Sequence, residues 1–438
     1  MRVAIAGYGV EGEENYTYWS QIPGNELTII DQNEIPGRPI PEGVRTYFAP
    51  DAFEHLDGYD LVVRTAGLAP YKIVTDGKIW SGTNEFLAHC PAPIIGVTGS
   101  KGKGTTSSLI AAVLEAAGKK VWLVGNIGIP ALRVLDQIQP TDIVVYELSS
   151  FQLWDAQKSP HVAIVLYIEQ EHLDVHRSME EYVEAKAQIT RHQTADDLLI
   201  FNAENTHARH IADSSVARKV GYPSEEHAYV RDAAFYYGDQ YICDTDVLRI
   251  PGKHNIDNAV AAIDAVWPFT QDTAAIADGL HAFTGLPHRI AFVATVNGVD
   301  YYDDSIATTP SSAIAALRSF ADRQKIIILG GSSKGSDFSE LAKEMLSHDV
   351  IALLVGAEAR HIAEACDAAG FTHYEIIDTS TADAFTQRAA ELARPGGVVL
   401  LSPAAASFGM FKNYADRGEQ FIAAVTRLET QAGQRQSE

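Results

Sequence analysis

The run PAPIIGVTGSKGKGTTSSLI, Pro91 to Ile110, restricts the fold more than any other stretch of the chain. Apolar residues lead into a turn of glycines and lysines, and a helical pattern follows from about Thr105. A buried strand that passes through a glycine turn into a helix belongs to a mostly parallel sheet layered with helices. The same alternation recurs throughout. VAIAG, ELTIID and DLVVRT come before the run; VWLVGN, DIVVYELSS and AIVLYIE follow it; VDYYDD, KIIILGG, VIALLVG, HYEIID and GVVLLSP come later. Helical patterns such as HNIDNAVAAIDAVW, FSELAKEML and EARHIAEACDAA separate them, so the expected class is α/β.

A chain of 438 residues has room for about three domains. The pattern divides into residues 1–91, residues 92–285, which open at a linker holding Pro91 and Pro93, and residues 286–438. Only the tail TQAGQRQSE reads as disordered. Acidic residues outnumber Lys and Arg by 57 to 34, a net charge of −23 that repels a phosphate backbone and excludes nucleic acid as a partner. Three scattered cysteines argue against a disulfide framework or a zinc site. The opening MRVAIAGYG reads as a strand and turn rather than a signal peptide, and no apolar run reaches the ~18 residues that membrane insertion needs. A cytoplasmic protein is expected.

Gly7-Tyr8-Gly9-Val10-Glu11-Gly12 follows the first strand and matches G-x-G-x-x-G, with Asp31 ending the next strand. Such a turn suits a dinucleotide, another diphosphate ligand or close packing alone; the rest of the chain favours another diphosphate. The loop Gly99-Ser100-Lys101-Gly102-Lys103-Gly104-Thr105 is the stronger signal. Its backbone N–H groups and the helix N-terminus would cradle phosphates, with Lys103 neutralising the outer ones, which points to ATP. The loop departs from G-x-x-x-x-G-K-[ST], because Val97 stands at the first glycine and Gly104 at the hydroxyl position; Thr105 or Thr106 is left to meet Mg²⁺.

A Mg²⁺ nucleotide needs ligands beyond the carboxyl ends of neighbouring strands. Glu147 closes DIVVYELSS and His172 closes VAIVLYIEQEH. In MEEYVEAKAQI, Lys186 shares a helical face with Tyr182, Val183 and Ile189. It is either a snorkelling lysine or one whose charge its site alters.

These residues resemble the Mur ligases of peptidoglycan precursor synthesis. The resemblance rests on ELSSFQLW (Glu147–Trp154), GNIGIPAL (Gly125–Leu132), HNIDNAVAA (His254–Ala262), LPHR (Leu286–Arg289), GGSSKGSDF (Gly330–Phe338) and LLSPAAASFGMFKNYADRGEQF (Leu400–Phe421). ELSSFQL and the SPAAAS segment are similar to the glutamate-adding branch. The resemblance implies three domains: a Rossmann-like N-terminal domain for the UDP-substrate, a central P-loop ATPase domain, and a Rossmann-like C-terminal domain with amino-acid and ATP contacts. It implies ATP and two Mg²⁺ ions, with Lys103 on the terminal phosphates and Glu147 and His172 on the metals. Lys186 would be carbamylated and would add an oxygen ligand. Asn255, Asn258, Arg289 and Asp304 would hold ATP. Val10, Glu11, Asp31, Thr65 and Gly67 would grip uracil and diphosphate, while Asn126 and His172 would meet the muramoyl side. Thr308, Lys334, Ser407 and Tyr414 would form the amino-acid pocket.

The implied activity is ATP-dependent ligation of D-glutamate to UDP-N-acetylmuramoyl-L-alanine through an acyl phosphate, by a monomer serving cell-wall biogenesis, cell shape and division. Ile306 stands where the glutamate-adding branch has lysine, and Tyr414 where it has phenylalanine. Addition of L-glutamate therefore stays open beside the D isomer. A catalytically silent P-loop sensor of cell-wall precursors is the reading from a different class.

Overall fold

The computed structural model describes residues 1–34, 39–173, 175–250, 252–320, 322–332, 336–378, 381–407 and 409–436, with side chains as far as 432. They form two compact units, one of residues 1–248 and 253–283, the other of residues 249–252 and 284–438.

The first unit contains two parallel sheets. One has the order β3-β2-β1-β4-β5, from β1 (Arg2–Ala6), β2 (Glu26–Asp31), β3 (Arg45–Phe48), β4 (Leu61–Arg64) and β5 (Lys78–Ser81). The other has the order β11-β10-β9-β6-β8-β7, from β6 (Ile94–Thr98), β7 (Val121–Gly125), β8 (Ile143–Glu147), β9 (Val162–Val165), β10 (Leu198–Asn202) and β11 (Arg218–Tyr222). Every residue of β6 and β8 is buried. That fits strands covered by helices on both faces, which read as unbroken apolar runs rather than alternation. The helix Lys103–Ala116 lies against the helices Lys253–Val266 and Thr273–Ala282, and Val113, Ala261 and Leu280 of these helices share one core. A small antiparallel sheet, β12 (Ala228–Arg231), β13 (Ala234–Tyr237) and β14 (Gln240–Asp244), completes the unit.

The second unit has a mixed sheet, β15-β16-β20-β17-β18-β19. Its strands are β15 (Ala291–Val296), β16 (Val299–Asp303), β17 (Lys325–Gly330), β18 (Val350–Val355), β19 (Tyr374–Ile377) and β20 (Val398–Leu401). Among the described strand pairs of this sheet, only β15–β16 is antiparallel, a hairpin at the edge.

The structure corrects three expectations. The tail does not read as coil: the helix Tyr414–Gln436 runs through most of it, because Leu428 and Ala432 pack against the core of this unit. The glycine-loop helix starts at Lys103 rather than near Thr105, with Gly102 as its N-cap. The strand expected to deliver His172 stops at Val165, and His172 sits in the loop beyond it at φ 56°. Among the described residues, no helix is long and apolar enough to cross a membrane.

Candidate active site

The glycine loop leaves the carboxyl end of β6, which lies between β8 and β9. Val97 is in register with Glu147 and Thr98 with Val165, so the loop, Glu147 and the segment leading to His172 emerge at one sheet edge. Edges of this kind in parallel sheets are where ligands gather. At Gly102 φ is +86°, and a Cβ would collide with Asn258 Oδ1, so only glycine lets the loop pass beneath the helix Lys253–Val266.

Polar contacts fix that helix over the loop. Thr106 Oγ1 donates to Asn258 Oδ1 (3.3 Å), and Asn258 Nδ2 donates to Asn255 Oδ1 (3.2 Å). Thr105 is buried beside Thr106. Ser100 Oγ donates to Glu169 O (2.9 Å), accepts the Glu169 N–H (3.0 Å) and lies 2.9 Å from the Tyr182 hydroxyl. Lys101 pairs with Glu169.

Two lysines converge on this loop. Lys103 Nζ folds back to donate to Gly99 O (3.0 Å) and Ser100 O (2.9 Å). Lys186 Nζ, from the helix Met179–Arg191, donates to the same Gly99 carbonyl at 2.7 Å and lies 4.5 Å from the Tyr182 ring centre. Ser178 caps that helix by accepting the Glu181 N–H. Lys186 is only 1% exposed. Burial first, and the Lys103 ammonium second, hold its amine well below the ordinary lysine range, while Glu171 and Glu147 pull the other way. Glu147 is 2% exposed at the end of β8. Among the described residues, no three His, Cys, Asp or Glu side chains group closely enough to hold a metal ion by themselves.

The first sheet supplies a second loop cluster. Asp31 Oδ2 accepts the Tyr8 N–H (2.6 Å) and Oδ1 the Gln32 N–H (2.7 Å). Glu11 Oε2 accepts the Ala66 N–H (2.7 Å), and burial pushes its carboxyl up. Val10 and Gly67 are exposed, Thr65 is half-buried, and Asn126 follows β7 with its N–H on Glu147 O (3.3 Å). Both acids thus brace the turns that the sequence assigned to the diphosphate grip.

Sequence reasoning missed three residues here. Arg64, fully buried, donates through Nε to Asp155 Oδ2 (2.7 Å) and through its η-nitrogens to Thr65 O (3.2 Å), Leu68 O (3.2 Å) and Phe151 O (3.0 Å). It joins the loop after β4 to the segment after Glu147. An arginine closing the apolar run LVVR was the available signal; its partner Asp155 lies 91 residues away. His176, also buried, stacks on Phe151 (ring centres 5.3 Å apart) with Nε2 3.0 Å from Ser150 Oγ.

In the second unit, Asp304 accepts the Ser402 hydroxyl (2.6 Å) and the Ile290 N–H (3.2 Å); burial pushes its carboxyl up to about 7, against the pull of Arg289. Ser407 is buried, Thr308 half-buried, and Tyr414 43% exposed. Lys334 lies outside the described residues.

Residues 97–266 match the Mur ligase middle domain, and residues 288–405 match the Mur ligase, glutamate ligase domain. The chain is 33% identical to a UDP-N-acetylmuramoylalanine–D-glutamate ligase of Streptococcus suis, over 98% of both chains. The chain belongs to the Mur ligase family. A second relative bearing that name, from Acetivibrio thermocellus, is 35% identical over 98% of this chain and 97% of its own. Two solved structures share the fold of this Mur ligase. A UDP-N-acetylmuramate–alanine ligase of Thermotoga maritima has a TM-score of 0.59 at 19% identity, covering 98% of this chain and 99% of that one. The MurF ligase of the same organism, in complex with ADP, has a TM-score of 0.58 at 18% identity, covering 98% and 95%.

Proposed function

We propose that this Mur ligase joins D-glutamate to UDP-N-acetylmuramoyl-L-alanine at the expense of ATP, as a cytoplasmic monomer in peptidoglycan precursor synthesis. The observation that carries the reading is the similarity at 33–35% identity, over 98% of this chain, to relatives named for that reaction. Their name also favours the D isomer over L-glutamate, although Ile306 and Tyr414 depart from the common pattern. Residues 1–91 take the UDP portion, residues 92–285 take ATP, and residues 286–438 take the amino acid.

The alanyl carboxylate attacks the γ-phosphorus of ATP, giving an acyl phosphate and ADP. The glutamate amine then adds to the acyl carbon, and phosphate leaves as the amide forms and the amine loses a proton. The first step brings an anion against a polyanion, so cationic groups at the loop are its main requirement. Lys103 already reaches two loop carbonyls and would turn from them to the terminal phosphates.

The donor set fits Mg²⁺ once Lys186 is counted. Glu147, His172 and a threonine hydroxyl at 105 or 106 supply part of it, and a neutral Lys186 amine takes up CO₂ with loss of a proton to become a carbamate, an oxygen ligand. When bound, the two ions neutralise charge on the triphosphate and the incoming carboxylate.

The test is ADP release by the purified chain with UDP-N-acetylmuramoyl-L-alanine, ATP and each glutamate enantiomer. Turnover with the D isomer is expected. A higher kcat/KM for L-glutamate would overturn the stereochemistry alone, and ADP release independent of any amino acid would overturn the ligase.

A further inference from the structure

The second unit buries an arginine that the chemistry above does not use. Arg417, near the start of the helix Tyr414–Gln436, is 2% exposed. Its Nε donates to Ser305 Oγ (2.9 Å), one η-nitrogen to Ser305 O (2.7 Å) and the other to Ala405 O (3.2 Å). The Ser305 hydroxyl passes the connection on, donating to Tyr414 O at 2.8 Å. These acceptors belong to three separate segments. Ser305 precedes Thr308 by three residues, Ala405 precedes Ser407 by two, and the third is Tyr414 itself. One planar fork therefore sets the backbone spacing around every described candidate of the amino-acid pocket.

The opposite side of the same turn is braced as well. Ser305 N–H donates to Asp303 Oδ1 (2.9 Å), and Asp303 Oδ2 lies 2.6 Å from His288 Nδ1. The helix closes on that pair at Gly418, where a Cβ would lie 2.7 Å from Asp303 Oδ2. All three of Arg417's hydrogen bonds named above go to uncharged oxygens, and burial pushes its guanidinium down to about 10. An apolar side chain of similar size would avoid that desolvation cost but would take the donors away from the Ser305 and Ala405 carbonyls. What an apolar residue cannot supply is a rigid set of donors that ties its own helix to the Ser305 and Ala405 segments at fixed angles, with the Ser305 hydroxyl extending the link to Tyr414.

We propose that Arg417 is a positioning residue for the glutamate pocket, holding the segments of Ser305–Thr308, Ala405–Ser407 and Tyr414 at the spacing the amino acid requires. The inference rests on the ligase reading above. Lysine at 417 keeps the charge but offers one nitrogen on a flexible stem, so it cannot reproduce the fork. Removing the Ser305 hydroxyl cuts only the connection to Tyr414 and one of the three donations.

The experiment measures KM for D-glutamate, ATP and UDP-N-acetylmuramoyl-L-alanine separately in wild type, Arg417→Lys and Ser305→Ala. A displacement of ~1 Å at a reacting centre costs on the order of 10²-fold. Arg417→Lys should therefore raise the glutamate KM ~10-fold or more. Ser305→Ala should raise it less, and the other two KM values should stay near wild type in both variants. Ser305→Ala carries the test if Arg417→Lys does not fold. An unchanged glutamate KM in the folded variants, or an equal rise for all three substrates, would overturn the inference. A wild-type chain with no glutamate-dependent turnover would overturn the ligase reading instead.

Discussion

Replacing Lys186 separates a lysine kept for packing from one kept for chemistry. Lys186 is 1% exposed with its Nζ 2.7 Å from the Gly99 carbonyl, and that carbonyl also receives Lys103 at 3.0 Å. In Lys186→Met the carbonyl keeps one donor, so no buried acceptor is orphaned, and the apolar stem still fills the helix face. The net loss is one hydrogen bond, about 1 kcal/mol, partly offset by no longer burying a polar amine. Stability should change little. Activity should not survive in the same way: the carbamate that would hold Mg²⁺ cannot form, and weakening the stabilisation of developing negative charge costs on the order of 10²–10³-fold in kcat. The assay pairs urea unfolding with ADP release, alongside ¹³C NMR of wild type incubated with ¹³CO₂, which should show a carbamate carbon absent from the variant. Arginine keeps the positive charge but cannot form the carbamate. Full activity in Lys186→Arg, or no carbamate signal in an active wild type, would refute the reasoning.

Three further outcomes follow from the geometry. Lys103→Ala should unfold like wild type yet lose ~10²-fold or more in ADP formation, and near-normal turnover would remove the loop from the mechanism. Gly102→Ala forces a Cβ onto Asn258 Oδ1 at φ +86°; it should lower stability by ~1–3 kcal/mol and raise the KM for ATP, whereas an unchanged melt and KM would contradict the tight passage. Asp264, buried with its carboxyl pushed up to about 8, keeps a proton that the unfolded chain loses near pH 4. The folded state thus binds the extra proton, and this group's contribution to stability falls as pH rises from about 4 to about 8, by at most ~1.4 kcal/mol per pH unit, then levels off. Asp264→Asn should lack that slope when urea unfolding is compared at pH 5 and pH 8, and parallel curves for the two proteins would refute it.

What the sequence made legible here was local chemistry, and what it hid was long-range pairing. The glycine loop, Glu147 at a strand end and Lys186 on an apolar helical face each announce themselves within about fifteen residues, because turn geometry and helical period are short-range properties. Arg64 and Asp155 are individually ordinary charges, and nothing marks them as one buried pair until β4 and the segment after β8 come together. Arg417 and Ser305 are hidden in the same way, 112 residues apart. The tail TQAGQRQSE, expected to be disordered, hides its helix for a related reason. Its polar composition says coil, yet Leu428 and Ala432, spaced one turn apart, find a core contributed by residues far earlier in the chain. His172 erred in the other direction: the apolar run VAIVLYI suggested a long strand, but the ladder with β6 ends at Val165. The following residues turn out of the sheet, with Tyr167 O accepting the Ser100 N–H at 2.9 Å. That departure brings Tyr167 and Glu169, which precede His172, against Ser100 of the glycine loop.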